Sequence, residues 1–325
     1  MAKVKKVLAL VLASVMAISF AACSNGGDSD ISTNDSDATG TAKTGYAVIS
    51  SISDVEDTTL TIDSVCAAVL VDTDGKVIDC KIDEAQTKPD LTDVDSTDLR
   101  TKLEKQEDYG MKDVSPIGKE WYEQAEAFEQ YAIGKTADEI AAGIGEDGYA
   151  TDADLSAGCT INVAGISQAV VNAVNNAQDL GAAATDTLKL SVSTEKNYES
   201  NDTNLQYDSD YAIVTLDANG TITSCIIDAS QAKCTMADGK FTVEAGEFIT
   251  KKELKEDYGM KDISPINKEW YEQAEAFEQY AVGKTATELA GCVDADGYAS
   301  DADLSAGCTI YMASIVANAV QACLG

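Results

Sequence analysis

The sequence predicts an α+β protein built from two tandem copies of one unit, each an antiparallel hairpin or sheet packed with helices. Three observations carry that reading. Residues 107–160 recur as 256–309 without a slip in spacing, with about four positions in five identical, which marks an internal duplication. Both blocks close on the same nine letters, Asp-Ala-Asp-Leu-Ser-Ala-Gly-Cys-Thr, at 152–160 and 301–309. In each copy β-rich runs around a glycine turn come first and helix-period runs follow, the order expected of an α+β domain.

The chain divides into four parts. Residues 1–22 read as a secretory leader: Lys3, Lys5 and Lys6 form a basic start, and the apolar run from Val7 to Phe20 is too short to span a bilayer. Phe20-Ala21-Ala22-Cys23 resembles the lipobox of bacterial lipoproteins, with Phe where Leu is commoner. That resemblance implies cleavage before Cys23, lipidation of its sulfur, and stable attachment through two acyl chains. Residues 23–44 are Gly, Ser, Asp, Thr and Asn with little that is apolar, so they are expected to stay disordered as an acidic tether. Such a tether spans about 25 Å root mean square. Residues 45–181 form the first repeat and 182–325 the second.

Within the repeats, the runs 66–72 and 76–83 flank Asp74-Gly75, and 211–217 and 221–228 flank Asn219-Gly220. Asp-Gly and Asn-Gly tolerate the positive φ of a tight turn, and the flanks are rich in β-branched residues, so each pair is expected to be a hairpin. Ala237-Asp238-Gly239 adds a further turn in the second copy. Ser115-Pro116 and Ser264-Pro265 have the form of an N-cap followed by proline at the first helical position. From there Trp121, Ala125, Phe128 and Ala132 make a helical stripe, repeated by Trp270, Ala274, Phe277 and Ala281, with Gly134 and Gly283 as stops. Both tryptophans of the chain lie on it, as a core face or as a platform for a flat ligand; core is the reading favoured. Thr136-Ala137-Asp138-Glu139 and Thr285-Ala286-Thr287-Glu288 have capping-box form and open a second short helix. A last helix is expected from Ile161, with Val163, Ile166, Val170 and Val174 on one face.

Composition removes several function classes. A formal charge of -33 repels nucleic acid and suits a soluble exterior. The absence of histidine excludes Ser-His-Asp and Cys-His catalysis and His-ligated metal. Nine cysteines contain no Cys-x-x-Cys pair. Cys80 matches Cys225 and Cys159 matches Cys308 across the copies, which reads as small buried residues and mostly free thiols.

The nine-letter block is the candidate site. Placed ahead of the last helix, Ala157-Gly158-Cys159-Thr160 is expected at a helix N-terminus, where free N–H groups and small side chains suit a phosphate. A plain N-cap turn built on Asp154 and Thr160 is the alternative. The glycine-turn hairpin, the pattern Asp-x-x-small-Gly-small-Thr and the apolar helix after it resemble the bacterial FMN-binding domain, which typically reads Asp-x-x-Ser/Thr-Gly-Ala-Thr here. The resemblance is clearest over the hairpin and last helix. The whole layout is similar to the pheromone-precursor flavin lipoproteins of Gram-positive bacteria. It implies FMN esterified to Thr160 and Thr309 by a separate flavin transferase, two per chain, with Asp154, Gly158, Cys159, Asp303, Gly307 and Cys308 completing the motifs. Ala157 and Ala306 stand where that family has Ser or Thr, and Cys159 and Cys308 where it has Ala. The implied role is an electron carrier on the outer face of the cell membrane. It would run from a membrane donor, a quinone or NADH dehydrogenase, to extracellular acceptors, and it is a carrier rather than a turnover enzyme.

Two other readings come from the same residues. Asp147, Asp294, Asp296, Asp301 and Asp303 crowd the loops before the blocks, as in a calcium-binding surface module, although the spacing is not that of an EF-hand. The clipped leader could also serve as a peptide pheromone.

Overall fold

The computed structural model describes residues 40–90, 93–197, 204–243 and 246–325. The leader, Cys23 and nearly all of the expected tether lie outside the described residues. The α+β class holds: two four-stranded antiparallel sheets are accompanied by ten α-helices among the described residues.

The first repeat opens with β1 (Lys43–Ser53), β2 (Thr61–Val71) and β3 (Val77–Thr87). The β2–β3 hairpin turns at Gly75, φ 79°. Its counterpart, β5 (Asn204–Leu216) and β6 (Ile222–Ala237), turns at Gly220, φ 78°. β4 (Thr187–Lys196) pairs with β5 as β1 pairs with β2. The turn at Asp238 and Gly239 leads into β7 (Lys240–Thr242), and β8 (Gly246–Phe248) follows. Sheet order is β3-β2-β1-β8 and β4-β5-β6-β7, so β8 of the second repeat completes the sheet of the first.

Each repeat then supplies its helices. The first has α1 (Lys102–Lys105), α2 (Trp121–Ala132), α3 (Ala137–Ala142), α4 (Ala153–Gly158) and α5 (Ala164–Asn175). The second has α6 (Lys251–Leu254), α7 (Trp270–Ala281), α8 (Ala286–Ala290), α9 (Ala302–Ser305) and α10 (Ala313–Leu324). The predicted stripe is core: Trp121, Ala125, Phe128 and Ala132 are buried with Val65, Val69, Ile166 and Val170 between helices and sheet. Trp270, Ala274, Phe277 and Ala281 occupy the same place in the second repeat.

The other faces of the two sheets pack on each other. Cys66, Ala68 and Leu70 of β2 meet Leu188 and Val192 of β4 and Tyr211 and Ile213 of β5. The layers are therefore helix, sheet, sheet, helix, and β2 is buried on both sides. Two hydrogen bonds sew β1 to β6 across the repeats, Thr44 Oγ1 with Ser224 Oγ at 2.8 Å and Tyr46 Oη donating to Asp228 Oδ2 at 2.8 Å.

Three differences from the sequence expectation have local causes. Order begins before residue 45, because Ala42 N–H donates to Ala182 O and Thr44 exchanges backbone bonds with Gln178. Ser115-Pro116 makes a turn and not a helix start: Gly118 N–H closes on Ser115 O and Gly118 sits at φ 63°, so α2 opens only after Glu120. The nine-letter block is itself a helix. Asp152 caps it, accepting N–H bonds from Asp154 and Leu155, and the last helix waits until Ala164. The capping boxes at Thr136 and Thr285 form as read.

Candidate functional site

The paired threonines sit at the end of α4 and just beyond α9, and one buried glutamine fixes each. Gln124, fully buried on α2, accepts the Thr160 N–H at 2.8 Å and the Thr160 hydroxyl at 3.3 Å with its Oε1. Its Nε2 donates to Lys119 O at 3.1 Å and Ser115 Oγ at 3.3 Å, and approaches Met111 Sδ at 3.6 Å. Gln273 repeats the arrangement on Thr309, with 2.8 and 3.1 Å to the threonine and contacts to Lys268 O, Ser264 Oγ and Met260 Sδ. Two donors on one side and a carbonyl on the other leave a single orientation for the amide.

Gln124 thus clamps the threonine to the loop 110–119. Glu120 fastens the same loop, its carboxylate taking the N–H groups of Met111 at 2.8 Å and Lys112 at 3.1 Å. The clamp leaves Thr160 and Thr309 half-buried. Each hydroxyl spends its proton on the amide oxygen, so its lone pairs are free to face solvent. At the tip of each loop an aliphatic side chain stands bare: Val114 is 80 % and Ile263 81 % exposed.

Gly158 and Gly307 have a packing reason. A Cβ on either would come within 2.8 Å of a methyl on the clamping helix, Ala127 or Ala276. A Cβ on Gly158 would also lie 4.0 Å from Lys119 Nζ, which places that ammonium at the end of α4. Cys159 and Cys308 are core residues. Burial raises the Cys159 thiol, opposed by the Ile161 N–H and the Lys119 charge. Cys308 is pushed up to about 11 by burial, with Ile310 N–H and Lys268 opposing, and its Sγ lies 3.2 Å from Met312 Sδ. Neither is a poised thiolate. All eight described cysteines are free thiols.

Two sequence expectations are corrected here. Residues 157–160 do not form the N-terminus of the last helix; they close α4, and Cys159 is its C-cap. The N-terminus of α5 instead faces the loop at Gly148, whose carbonyl accepts the Val163 N–H at 2.8 Å. The helix dipole therefore offers Thr160 no positive end. Asp154 and Asp303 are exposed in the first turns of α4 and α9 and make no hydrogen bond to the threonines; Asp152 and Asp301 are the caps. Of the predicted residues, the fold brings together Gly158, Cys159 and Thr160, and Gly307, Cys308 and Thr309. The sequence reading missed Gln124, Gln273, Lys119 and Lys268. Their signal was present, since all four lie in the identical part of the repeat and Gln124 breaks the apolar stripe with a polar residue on its edge.

Comparison with known proteins found no matching family model, no matching curated protein and no matching solved structure. The aspartates of the calcium reading are occupied locally: Asp147 Oδ1 accepts the Tyr149 N–H, Asp294 Oδ1 accepts those of Asp296 and Tyr298, and Asp301 caps α9. Among the described residues no cluster of three or more Cys, Asp or Glu could hold a metal ion. Nor is any described helix long and apolar enough to cross a membrane.

A concavity of about 830 Å³ lies between the repeats and is lined by Tyr46, Asn172, Asp228, Lys252, Glu275 and Glu278 among others. It faces the side of α7 that carries Tyr271, Glu275 and Glu278, whereas Gln273 and Thr309 lie on the opposite side of that helix. The threonine sites and the cleft are separate.

Proposed function

We propose that the chain is a lipid-anchored surface protein carrying FMN as a phosphoester on Thr160 and on Thr309, passing electrons from a membrane donor to extracellular acceptors. One observation carries this reading: in both repeats a buried glutamine ties a half-buried threonine hydroxyl to a loop that carries a lysine and a bare aliphatic side chain. An amphipathic nucleotide has matching parts, a charged phosphate and an apolar ring system.

The residues fit such a group. Esterification removes the hydroxyl proton, and Gln124 Oε1 still holds the Thr160 N–H, so the clamp survives loading. The threonine O–P bond forms as the phosphoanhydride bond of a flavin dinucleotide donor breaks, the nucleoside monophosphate leaves, and the hydroxyl proton passes to a base. This chain has no histidine to act as that base, so a separate flavin transferase supplies it. When bound, the flavin supplies the one- and two-electron chemistry, and a covalent link prevents its loss by dilution outside the cell. Cys23, acylated after removal of the leader, holds the protein at the outer face of the membrane.

The test is intact-mass measurement and peptide mapping of the protein from its native host. Two FMN masses on the peptides of Thr160 and Thr309, and a yellow colour that survives denaturation, are expected. Thr160→Ala with Thr309→Ala removes both. Unmodified threonines in native material overturn the reading.

A further inference from the structure

The chain is strongly acidic, yet the glutamine that holds each threonine also holds the backbone of a lysine. Lys119 Nζ lies near the end of α4, and its main chain is fixed at both ends, the N–H donating to Ser115 Oγ at 3.4 Å and the carbonyl accepting from Gln124 at 3.1 Å. Lys268 is fixed the same way, 3.4 Å to Ser264 Oγ and 3.1 Å from Gln273, and its charge is felt at Cys308 as that of Lys119 is at Cys159. Among the described residues neither ammonium has a carboxylate within 4.0 Å. The glutamine that orients the threonine therefore also orients the backbone of the lysine.

We propose that Lys119 and Lys268 are positioning residues for a phosphate ester, each ammonium holding the anionic oxygens of a phosphate joined to the neighbouring threonine. The proposal rests on the ester reading above and adds the source of positive charge, since the last helix points its N-terminus elsewhere. Each lysine is half-buried, and Gly158 and Gly307 add no side chain of their own beside the threonines. A side chain on either glycine would displace the helix and crowd the approach.

The experiment uses the full chain with Thr309→Ala, so that only Thr160 loads, coexpressed with a flavin transferase. Early in expression, Lys119→Gln is expected to carry about five-fold less FMN by intact mass, the scale of one charge contact at a partly exposed site. Lys119→Arg restores loading to within about two-fold, because it keeps the charge. Lys112→Gln, in the same loop, leaves loading unchanged. In fully loaded protein the 31P resonance shifts in Lys119→Gln and not in Lys112→Gln, a readout that a merely structural role would not move. Lys268→Gln in a Thr160→Ala chain repeats the trial at the other site and stands in if Lys119→Gln fails to fold. A Lys119→Gln chain that loads like its parent with an unshifted 31P signal overturns the lysine role alone. A Thr309→Ala parent that never acquires FMN overturns the ester reading, and the lysine role with it.

Discussion

Replacing Gln124 with methionine separates the clamp from simple packing. Methionine has nearly the same length and volume but offers neither a strong acceptor nor a donor, so no large cavity opens. Two main-chain groups then lose their partners, the Thr160 N–H now bonded at 2.8 Å and the Lys119 carbonyl at 3.1 Å. A buried unsatisfied group costs about 1–3 kcal/mol. Thr160 is half-buried and recovers part of its loss from water, so the expected cost is about 2–4 kcal/mol in total. Urea unfolding followed by circular dichroism reads this as a lower midpoint with an unchanged slope. The Thr160 amide should also lose its protection from hydrogen exchange. Gln124→Glu adds a check of sign. One carboxylate oxygen keeps the threonine bonds while the other faces the Lys119 carbonyl, a contact that is favourable only when the carboxyl carries a proton. That variant should be closer to the parent at pH 5 than at pH 8. A Gln124→Met chain within about 0.5 kcal/mol of the parent would refute the idea that this amide organises the site.

Gly158→Ala and Gly307→Ala test the approach of the clamping helix: at the helical Gly158, replacement of glycine with alanine normally gains about 0.5–1 kcal/mol, and Gly307 lies in the turn that follows α9. A Cβ 2.8 Å from Ala127 or Ala276 should give a loss of about 1–2 kcal/mol in thermal or urea unfolding at either site, and a gain would show that the end of α4 and the turn after α9 are not seated as described. The Glu129 carboxyl, whose oxygen accepts the Ile82 N–H at 2.8 Å, is raised from 4.5 to about 7 by burial, against the pull of that N–H and of Lys81. Its folded value lies above its unfolded one, so its stabilising contribution is complete below about 4.5 and is lost as pH rises through about 7. Melting temperature should fall from pH 5 to pH 8, and Glu129→Gln should flatten that slope; a slope unchanged in the variant assigns it to other groups. Because β8 and the face carrying Leu70 and Ile213 join the repeats, the full chain should unfold in one transition and Leu70→Ala should cost about 2–5 kcal/mol. Two separate calorimetric transitions would contradict the shared core.

What was legible in the sequence was mostly local. Asp74-Gly75 and Asn219-Gly220 name their turns because the left-handed φ at the glycine admits few other residues. The tryptophan stripe was readable because its period matches a helix with one covered face. Ser115-Pro116 misled because its cap chemistry is genuine but is spent on a turn that Gly118 closes. Ser115 Oγ answers Lys119 and Gln124 instead of opening a helix. The nine-letter block misled in a related way. Asp152 and Asp154 are both capping residues by type, and the fold uses Asp152, which starts the helix inside the block and brings Gly158 against Ala127. The packing of the two sheets was the largest omission. Its signal was the unbroken apolar run Val65 to Val71, which a strand with one wet face does not need. The pairing of β8 with β1 has no local signature at all, since three residues carry it across the repeats.

Where the copies agree and where they differ divides the molecule by task. The outer helical layer, with Gln124 and Gln273, Lys119 and Lys268, and the two threonines, is nearly the same in contacts, as the near-identity of residues 107–160 and 256–309 dictates. The inner layer is not. Asp83 and Asp228 keep one role, each accepting the next N–H in its strand and one from the helix beyond, but only Asp228 receives a tyrosine from the other repeat. The strand position of Tyr46 on β1 is held by Leu190 on β4, and that of Thr44 by Leu188. One seam between the repeats is thus hydrogen-bonded and the other apolar, and a first repeat facing another first repeat would set Tyr46 against Asp83 in a seam that lacks Ser224. The difference favours pairing of first with second repeat within one chain, which fixes the two threonine sites on opposite outer layers of a single body.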